Sequence, residues 1–377
     1  MNLTFNMPVR VFFGENCVAD HVDMLGSFGK KAMILSDPVS AKVTGAGDDI
    51  IAALEKNGID HIVFDRVESN PTIDCVREAI SVCKKEKVDF IFAIGGGSSL
   101  DVGKAVALLS RQEASDDEMF TKEFSDDMMP LIAVPTTSGT GSEVTPYAMI
   151  IDSKKGTKNN LHTPFLFAKV AFLDPRYTLT LPIKVTVNTA IDAMTHAIES
   201  LFAKTTNPLV ASIAFESIHN IGTCFDCLVS GKLDIKDREK LMLGSVMGGM
   251  VVSQTRTTAL HGMSYPMTSV GHIPHGRAMA LILANYMTFW QKHEPELIDK
   301  LIKTMGLDSL DTFNGIIATL VGEIKPEERL SEEQIAAYTE EVMLKHNIIN
   351  TRVPITREDV IRIYPVSYTH LRAHETL

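Results

Sequence analysis

Residues 90–104 read FIFAIGGGSSLDVGK, an apolar run from Phe90 to Ile94 that passes directly into Gly95, Gly96, Gly97 and Ser98. A short apolar run bounded by glycines has the length of a buried strand, and GKAVALLS (103–110) has the apolar spacing of a helix. Glycines let the backbone turn sharply and approach an anion, whose charge the free N–H groups and dipole of a helix start favour. The stretch reads as strand, anion-binding loop and helix, a dinucleotide-type site without the G-x-G-x-x-G fingerprint. The same glycines also suit a plain strand-to-helix turn, so the loop alone leaves both readings open.

The pattern repeats on either side. Ala32 to Leu35, a helix through DDIIAALEKNG (48–58), HIVF (61–64) and a helix through CVREAISVCKKEK (75–87) alternate before it. LIAV (131–134), AMII (148–151) and VAFL (170–173) continue the strand series after it. Alternating strands and helices predict a parallel sheet with crossover helices, a Rossmann-like α/β domain. Two prolines in LDPRYTLTLP (173–182) close the section, placing a domain over residues 1–182. Beyond it the apolar residues take helical spacing, as in VNTAIDAMTHAIESLFAK (187–204), PLVASIAFESIHNIGTCF (208–225) and DREKLMLGSVMGGMVVSQ (237–254). An all-α domain over 183–364 is expected. SEEQIAAYTEEVMLKHNI (331–348) adds a solvated helix, and residues 365–377, ending SYTHLRAHETL, do not continue the amphipathic pattern and read as a non-native tail. His370 and His374 have metal-ligand spacing in that tail, but nothing there fixes their rotamers.

Composition narrows the function classes. With 36 basic against 47 acidic residues and a net charge of -11, no basic stripe is available to neutralise a nucleic-acid backbone. No apolar run reaches membrane-span length, and MNLTFNMPVRVFF lacks a secretory signal's features, so a cytoplasmic location is expected. Cys17, Cys75, Cys83, Cys224 and Cys227 are too few and too scattered for a disulfide framework, which predicts free thiols. Cys224 and Cys227 have CxxC spacing, read here as two positions on one face of a helix through ESIHNIGTCFDCLVSGKL (216–233).

A second polar loop, PTTSGTGSE (135–143), follows LIAV, and its hydroxyls suit phosphate, ribose or amide contacts. Asp37, at the end of AMILSDPVS (32–40), suits ribose hydroxyls and would repel a 2′-phosphate, favouring NAD over NADP. It also fits a helix-start cap before VSAKV. In TAIDAMTHAIES (189–200), Asp192 and His196 stack one helical turn apart and can share a cation. ALHGMSYPMTSVGHIPHGRAMA (259–280) offers His261, His272 and His275, the last in a tight Pro274-His275-Gly276 turn. One oxygen and three nitrogens suit Fe2+ or Zn2+ rather than Ca2+ or Mg2+.

Taken in order, FFGENC, NPTIDCVREAI, GGGSSLDVGK, PTTSGTGSEVT, FLDPRYTLTLP, TAIDAMTHAIES and IPHG resemble the iron-containing alcohol dehydrogenase family along essentially all of the chain before Pro365. The resemblance implies metal ligands at Asp192, His196, His261 and His275. It implies cofactor contacts at Gly95, Gly96, Gly97, Ser98, Thr136, Thr137 and Thr140, with Lys158 and Leu179 as looser matches and Asp37 as the residue associated with NAD preference. Asp101 is expected either to orient cofactor or substrate or to cap the helix. The implied activity is hydride transfer between NAD(H) and a small primary alcohol or aldehyde, with Fe2+ as the metal and Zn2+ as the alternative, in a homodimer or higher homo-oligomer.

One departure concerns the position four residues after His261, where many members carry a second histidine near the nicotinamide and this chain has Tyr265. That tyrosine is read either as a proton carrier in the catalytic set or as a packing residue. A subgroup with a similar SYPxT context looks like phosphonoacetaldehyde reductases, which makes a less ordinary aldehyde an alternative. Arg277 is read as an anion contact or, more simply, a surface ion pair. Two competing functions are a metal-dependent lyase resembling dehydroquinate synthase and a non-catalytic nucleotide-binding or filament-forming protein.

Overall fold

The computed structural model describes residues 3–370, with side chains through Tyr364. Two compact units emerge among the described residues, one spanning Met7–Leu181 and the other comprising residues 182–370 together with residues 3–6. The N-terminal segment thus departs from the first unit expected of it. Asn6 exchanges backbone bonds with the side-chain amide of Gln254.

In the first unit, six strands form one parallel sheet: β1 (Arg10–Phe13), β2 (Lys31–Ser36), β3 (Asp60–Phe64), β4 (Phe90–Gly95), β5 (Leu131–Pro135) and, after the hairpin described below, β8 (Val170–Leu173). Their spatial order is β1-β8-β5-β4-β2-β3. β4 and β5 are buried at every residue, as strands covered on both faces must be. Helices α1 (Ala46–Lys56), α2 (Ile73–Glu86) and α3 (Gly97–Leu109) supply crossovers. Thr72 caps α2 by accepting from Cys75 N at 3.3 Å, a bond worth about 1 kcal/mol in typical helices. A Cβ on Gly103 would lie 2.6 Å from that of Ala93, so this glycine lets α3 pack directly on β4.

AMII was expected to join this sheet and does not. β6 (Tyr147–Asp152) pairs antiparallel with β7 (Thr157–His162) as a separate hairpin. Its alternating burial marks a ribbon with one covered face, whereas the main strands are covered on both. β1, which the sequence reading passed over, forms a sheet edge beside β8.

The second unit is helical, built on α4 (Ile183–Phe202), α5 (Pro208–Gly222), α6 (Phe225–Ser230), α7 (Ile235–Thr255), α8 (Ala259–Ser269) and α9 (His275–His293). Asn207 caps α5 through Leu209 N and Val210 N, with Pro208 opening the helix. From Ala190 to Phe202 every residue of α4 is buried, so this helix runs through the core rather than along its surface. Phe202 stacks on Trp290 at 3.8 Å between ring centroids. Asp192, His196 and Glu199 are therefore ionisable groups inside an apolar bundle, where burial demands partners.

Candidate metal centre and nucleotide cradle

Three helices deliver the polar cluster. Asp192 and His196 project from adjacent turns of α4, His261 lies in the first turn of α8, and His275 opens α9. Asp192 Oδ1 lies 3.9 Å from His196 Nε2, 3.6 Å from His261 Nε2 and 3.6 Å from His275 Nε2. Donor atoms of Asp192, His261 and His275 fall within 4.8 Å of one another. The His196 ring stacks on His261 at 4.7 Å. All four expected ligands come together, while His272 sits exposed in the preceding turn with φ of 53°.

Asp192 Oδ1 and His261 Nε2 are buried, face each other and have no hydrogen-bond partner. Leaving such atoms unsatisfied typically costs about 1–3 kcal/mol each, a cost that a cation between them removes. Burial would push the Asp192 carboxyl up, yet the surrounding imidazoles hold it well below the usual range. Burial likewise disfavours charged His261, but Glu199 and Asp192 outweigh it and push its pKa up to about 9.

Glu199 was missed by sequence reading. It lies on α4 seven residues after Asp192, fully buried, and contacts His261 Nδ1 through Oε2. Its Oε1 accepts from Thr258 Oγ1 at 2.6 Å, Thr258 N at 3.1 Å and His261 N at 3.3 Å. This carboxylate fixes the His261 ring and leaves Nε2 facing Asp192. The available signal was the D-x-x-x-H-x-x-E spacing, which places all three groups on one helical face. Asp192 and Glu199 together carry two negative charges, the number that a divalent cation would balance.

The Pro274-His275-Gly276 turn also has a steric reason. A Cβ on Gly276 would lie 2.0 Å from Asn188 O, so only glycine lets the start of α9 approach α4 closely. Arg277 makes a buried ion pair rather than the expected surface one or an anion contact. It meets Glu328 through Nε at 2.5 Å and Nη2 at 2.7 Å, while further donors reach the carbonyls of Val321 and Glu323. Tyr265 stacks over His275 at 6.2 Å, with its hydroxyl in the hydrogen-bonding environment of Thr257 and Asn347. Burial raises its pKa, keeping the phenol protonated.

In the first unit, register pairs Gly95 with Pro135 and Ile94 with Ser36, so the segments following β2, β4 and β5 leave adjacent strand ends. From β2 the chain goes outward to β3, whereas from β4 it goes the opposite way to β5. That reversal is the switch point where open α/β sheets hold ligands. Gly95 has φ of 141°, and a Cβ there would lie 2.5 Å from Ser99 Oγ and 3.1 Å from Asp37 Oδ2. On Gly97 it would lie 2.8 Å from Thr140 Cγ2, and on Gly96 3.4 Å from Thr137 Oγ1. Thr136 N donates to Gly95 O at 3.0 Å, joining the loops. Ser138 Oγ, in the second loop, is buried without a hydrogen-bond partner.

Asp37 Oδ1 accepts from Val39 N and Ser40 N in the turn that leads into the short helix Ser40–Val43, whose N-cap is Val39, while Oδ2 faces Gly95. Lys158 Nζ donates to Asn70 Oδ1 at 3.0 Å, and Asn70 N donates to Ser98 Oγ at 3.4 Å, connecting β7 to the glycine loop. Asn70, at φ of 57°, was not singled out from sequence. Leu179 is an exposed side chain beyond the turn Pro175–Thr178. Asp101 does not cap the helix, whose N-cap is Gly96. Its carboxylate accepts from Ser142 Oγ at 2.6 Å and Met149 N at 2.9 Å, and Lys104 Nζ lies 3.5 Å away. It ties the second loop and the hairpin to α3.

Two family descriptions match the chain: iron-containing alcohol dehydrogenase over residues 8–175, and the C-terminal part of the Fe-containing alcohol dehydrogenase family over 186–368. A choline dehydrogenase of Bacillus subtilis is 30% identical over 311 residues, covering 81% of this chain and 77% of its own. An iron-containing alcohol dehydrogenase structure from Thermotoga maritima superposes with a TM-score of 0.86 at 31% identity, covering 97% of this chain and 99% of that one. The structure of a sulfoacetaldehyde reductase from Bifidobacterium kashiwanohense in complex with NAD+ superposes with a TM-score of 0.87 at 28% identity, covering 97% and 98%.

Proposed function

This chain belongs to the iron-containing alcohol dehydrogenase family, and from that premise we propose that it transfers a hydride between NAD(H) and a small primary alcohol or aldehyde at a centre formed by Asp192, His196, His261 and His275. The observation carrying this reading is the buried Asp192 Oδ1 facing His261 Nε2 at 3.6 Å, two ligand-type atoms without a hydrogen-bond partner and ringed by two further imidazoles. A bound Fe2+, or Zn2+ in its place, would act as a Lewis acid that polarises the substrate carbonyl. The residues of the chain set the geometry. Glu199 orients His261, Gly276 holds His275 against α4, and Tyr265 covers His275 while its hydroxyl engages Thr257 and Asn347.

For the nucleotide, the backbone N–H groups of Gly96, Gly97 and Ser98 at the start of α3 would meet the pyrophosphate. The hydroxyl loop, with unpaired Ser138 Oγ, would supply further polar contacts. Asp37 Oδ2 faces that crevice and favours NAD over its 2′-phosphorylated form. NAD also accompanies the sulfoacetaldehyde reductase of similar fold. The same reading includes a homo-oligomer in the cytoplasm. Among the described residues no helix is long and apolar enough to cross a membrane.

Turnover tests the proposal. Anaerobically prepared, Fe2+-loaded protein is expected to consume NADH with at least one member of a panel of short aldehydes, and to consume NADPH more slowly. Silence across the panel would overturn the reductase reading, and a clear preference for NADPH would overturn the role given to Asp37.

Glu199→Gln tests the positioning of His261. A carboxylate behind a ligating histidine typically contributes 10–100-fold to metal affinity, so divalent-metal binding is expected to weaken by about that factor. Chelator competition measures the effect, and circular dichroism checks the fold. An unchanged affinity would assign Glu199 to packing alone.

A further inference from the structure

The paired cysteines do not lie on one continuous helix. Helix α5 ends at Gly222, and Cys224 occupies the N-cap of the next helix, α6, with Cys227 in its first turn. This break turns both sulfurs toward the beginning of α7, where Asp237 lies in the first turn. Donor atoms of Cys224, Cys227 and Asp237 fall within 4.8 Å of one another. Cys227 engages both Cys224 and the Asp237 carboxylate, and the Cys224 thiol donates to the Asp237 backbone carbonyl at 3.8 Å. Cys224 is buried, while Cys227 and Asp237 are partly accessible.

The surrounding bonds leave this trio available. Asp237 uses Oδ2 to accept from Asp234 N in a capping box; Cys224 Sγ donates to the carbonyls of Asn220 at 3.4 Å and Asp237 at 3.8 Å and also meets the Thr223 side chain, and Cys227 Sγ donates to the carbonyl of Cys224 at 3.0 Å. Thiol-to-carbonyl bonds are weak, and a thiophilic metal readily replaces them. Charge also balances. Two thiolates and one carboxylate carry -3, a divalent cation supplies +2, and the buried Arg238 guanidinium beside Cys227 and Asp237 supplies +1.

We propose that Cys224, Cys227 and Asp237 form a second metal site, chemically distinct from the histidine-rich centre, that binds a thiophilic divalent cation such as Zn2+ or Cd2+. Binding breaks two S–H bonds and forms two metal–sulfur bonds, releasing two protons to solvent without any change of oxidation state. Partial exposure at Cys227 and Asp237 leaves room for a water as fourth ligand, the usual coordination number of such ions. The ion would clamp the junction of α5 and α6 to the start of α7.

Cd2+ provides the test, because thiolate-to-metal charge transfer gives an ultraviolet band that an aspartate–histidine centre cannot give. Full-length protein whose Asp192 centre has first been filled with Fe2+ is titrated with Cd2+. The expected result is a charge-transfer band saturating at one equivalent, lost in Cys227→Ser and retained in Cys17→Ser. Absence of the band in the parent protein, or its persistence in Cys227→Ser, would overturn the site. Should Cys227→Ser fail to fold, alkylation of Cys227 in the parent protein, mapped by mass spectrometry, decides. One equivalent of Cd2+ is expected to slow it by about tenfold or more, since the metal-held thiolate is no longer a free nucleophile, and an unchanged rate would overturn the site.

Discussion

Asp192→Ala is expected to strip the divalent metal from the protein and to lower kcat/KM by about a thousandfold. The figure follows from the several kcal/mol that a Lewis-acid metal contributes to a polarised carbonyl. At about 4 kcal/mol, with each 1.4 kcal/mol worth a factor of ten, the loss is roughly three decades. Asp192 is the residue to change because its Oδ1 is the atom that all three imidazoles approach, within 3.6–3.9 Å. Without it three nitrogens remain around a space that lacks its negative ligand. NADH affinity is expected to survive, since the glycine and hydroxyl loops belong to the other unit. Metal analysis, steady-state kinetics and NADH fluorescence titration on one preparation check the three parts. Full metal content with lost activity would contradict the ligand assignment, and lost NADH binding would indicate damage beyond the site.

Arg277→Met destabilises the helical unit by about 3–5 kcal/mol, the usual consequence of removing one partner from a buried ion pair. Methionine keeps much of the arginine stem's volume, so the change isolates the charge. Glu328 is 6% exposed and loses its bidentate partner. The carbonyls of Val321 and Glu323 lose a donor as well. Adding Glu328→Leu is expected to recover part of the loss, because a buried pair replaced by apolar side chains is often near neutral. Urea denaturation followed by circular dichroism measures both. The pH dependence has a defined sign. Burial pushes the Glu328 carboxyl up, but Arg277 and the Lys325 backbone outweigh it and hold it below its ordinary value. The pair's contribution is therefore full above the ordinary glutamate range and fades as pH falls through the lowered value, so parent and Arg277→Met converge in acid. A constant gap down to strongly acidic pH would place the stabilisation in the arginine's carbonyl contacts instead.

These two predictions differ in how far the sequence alone supported them. Asp192 and His196 were legible because one helix carries both, and helical spacing alone puts them on one face. The glycine loop was legible for a similar reason, since strand, turn and helix follow within fifteen residues. Arg277 was misread as a surface residue because Glu328 lies 51 positions away, and burial of both emerges only when distant helices pack. Glu199 escaped notice because its partner is 62 residues distant. AMII resembled the buried strands in composition, and only its polar partner TKNNLH and the turn between them separate it as a hairpin. The cysteine pair was legible as spacing, but the break between α5 and α6 that turns it toward Asp237 was not.

The central claim, that the metal centre and nucleotide cradle serve one hydride transfer, is tested most directly by isotope. Fe2+-loaded protein is incubated anaerobically with a short aldehyde and NADH carrying deuterium at nicotinamide C4, on the face that the enzyme uses. One deuterium is expected on the carbinol carbon of the alcohol, with matching loss of label from the nucleotide. Substrate transformed while the deuterium remains on, or returns to, the nicotinamide would contradict it and identify a lyase that borrows the cofactor without net redox change.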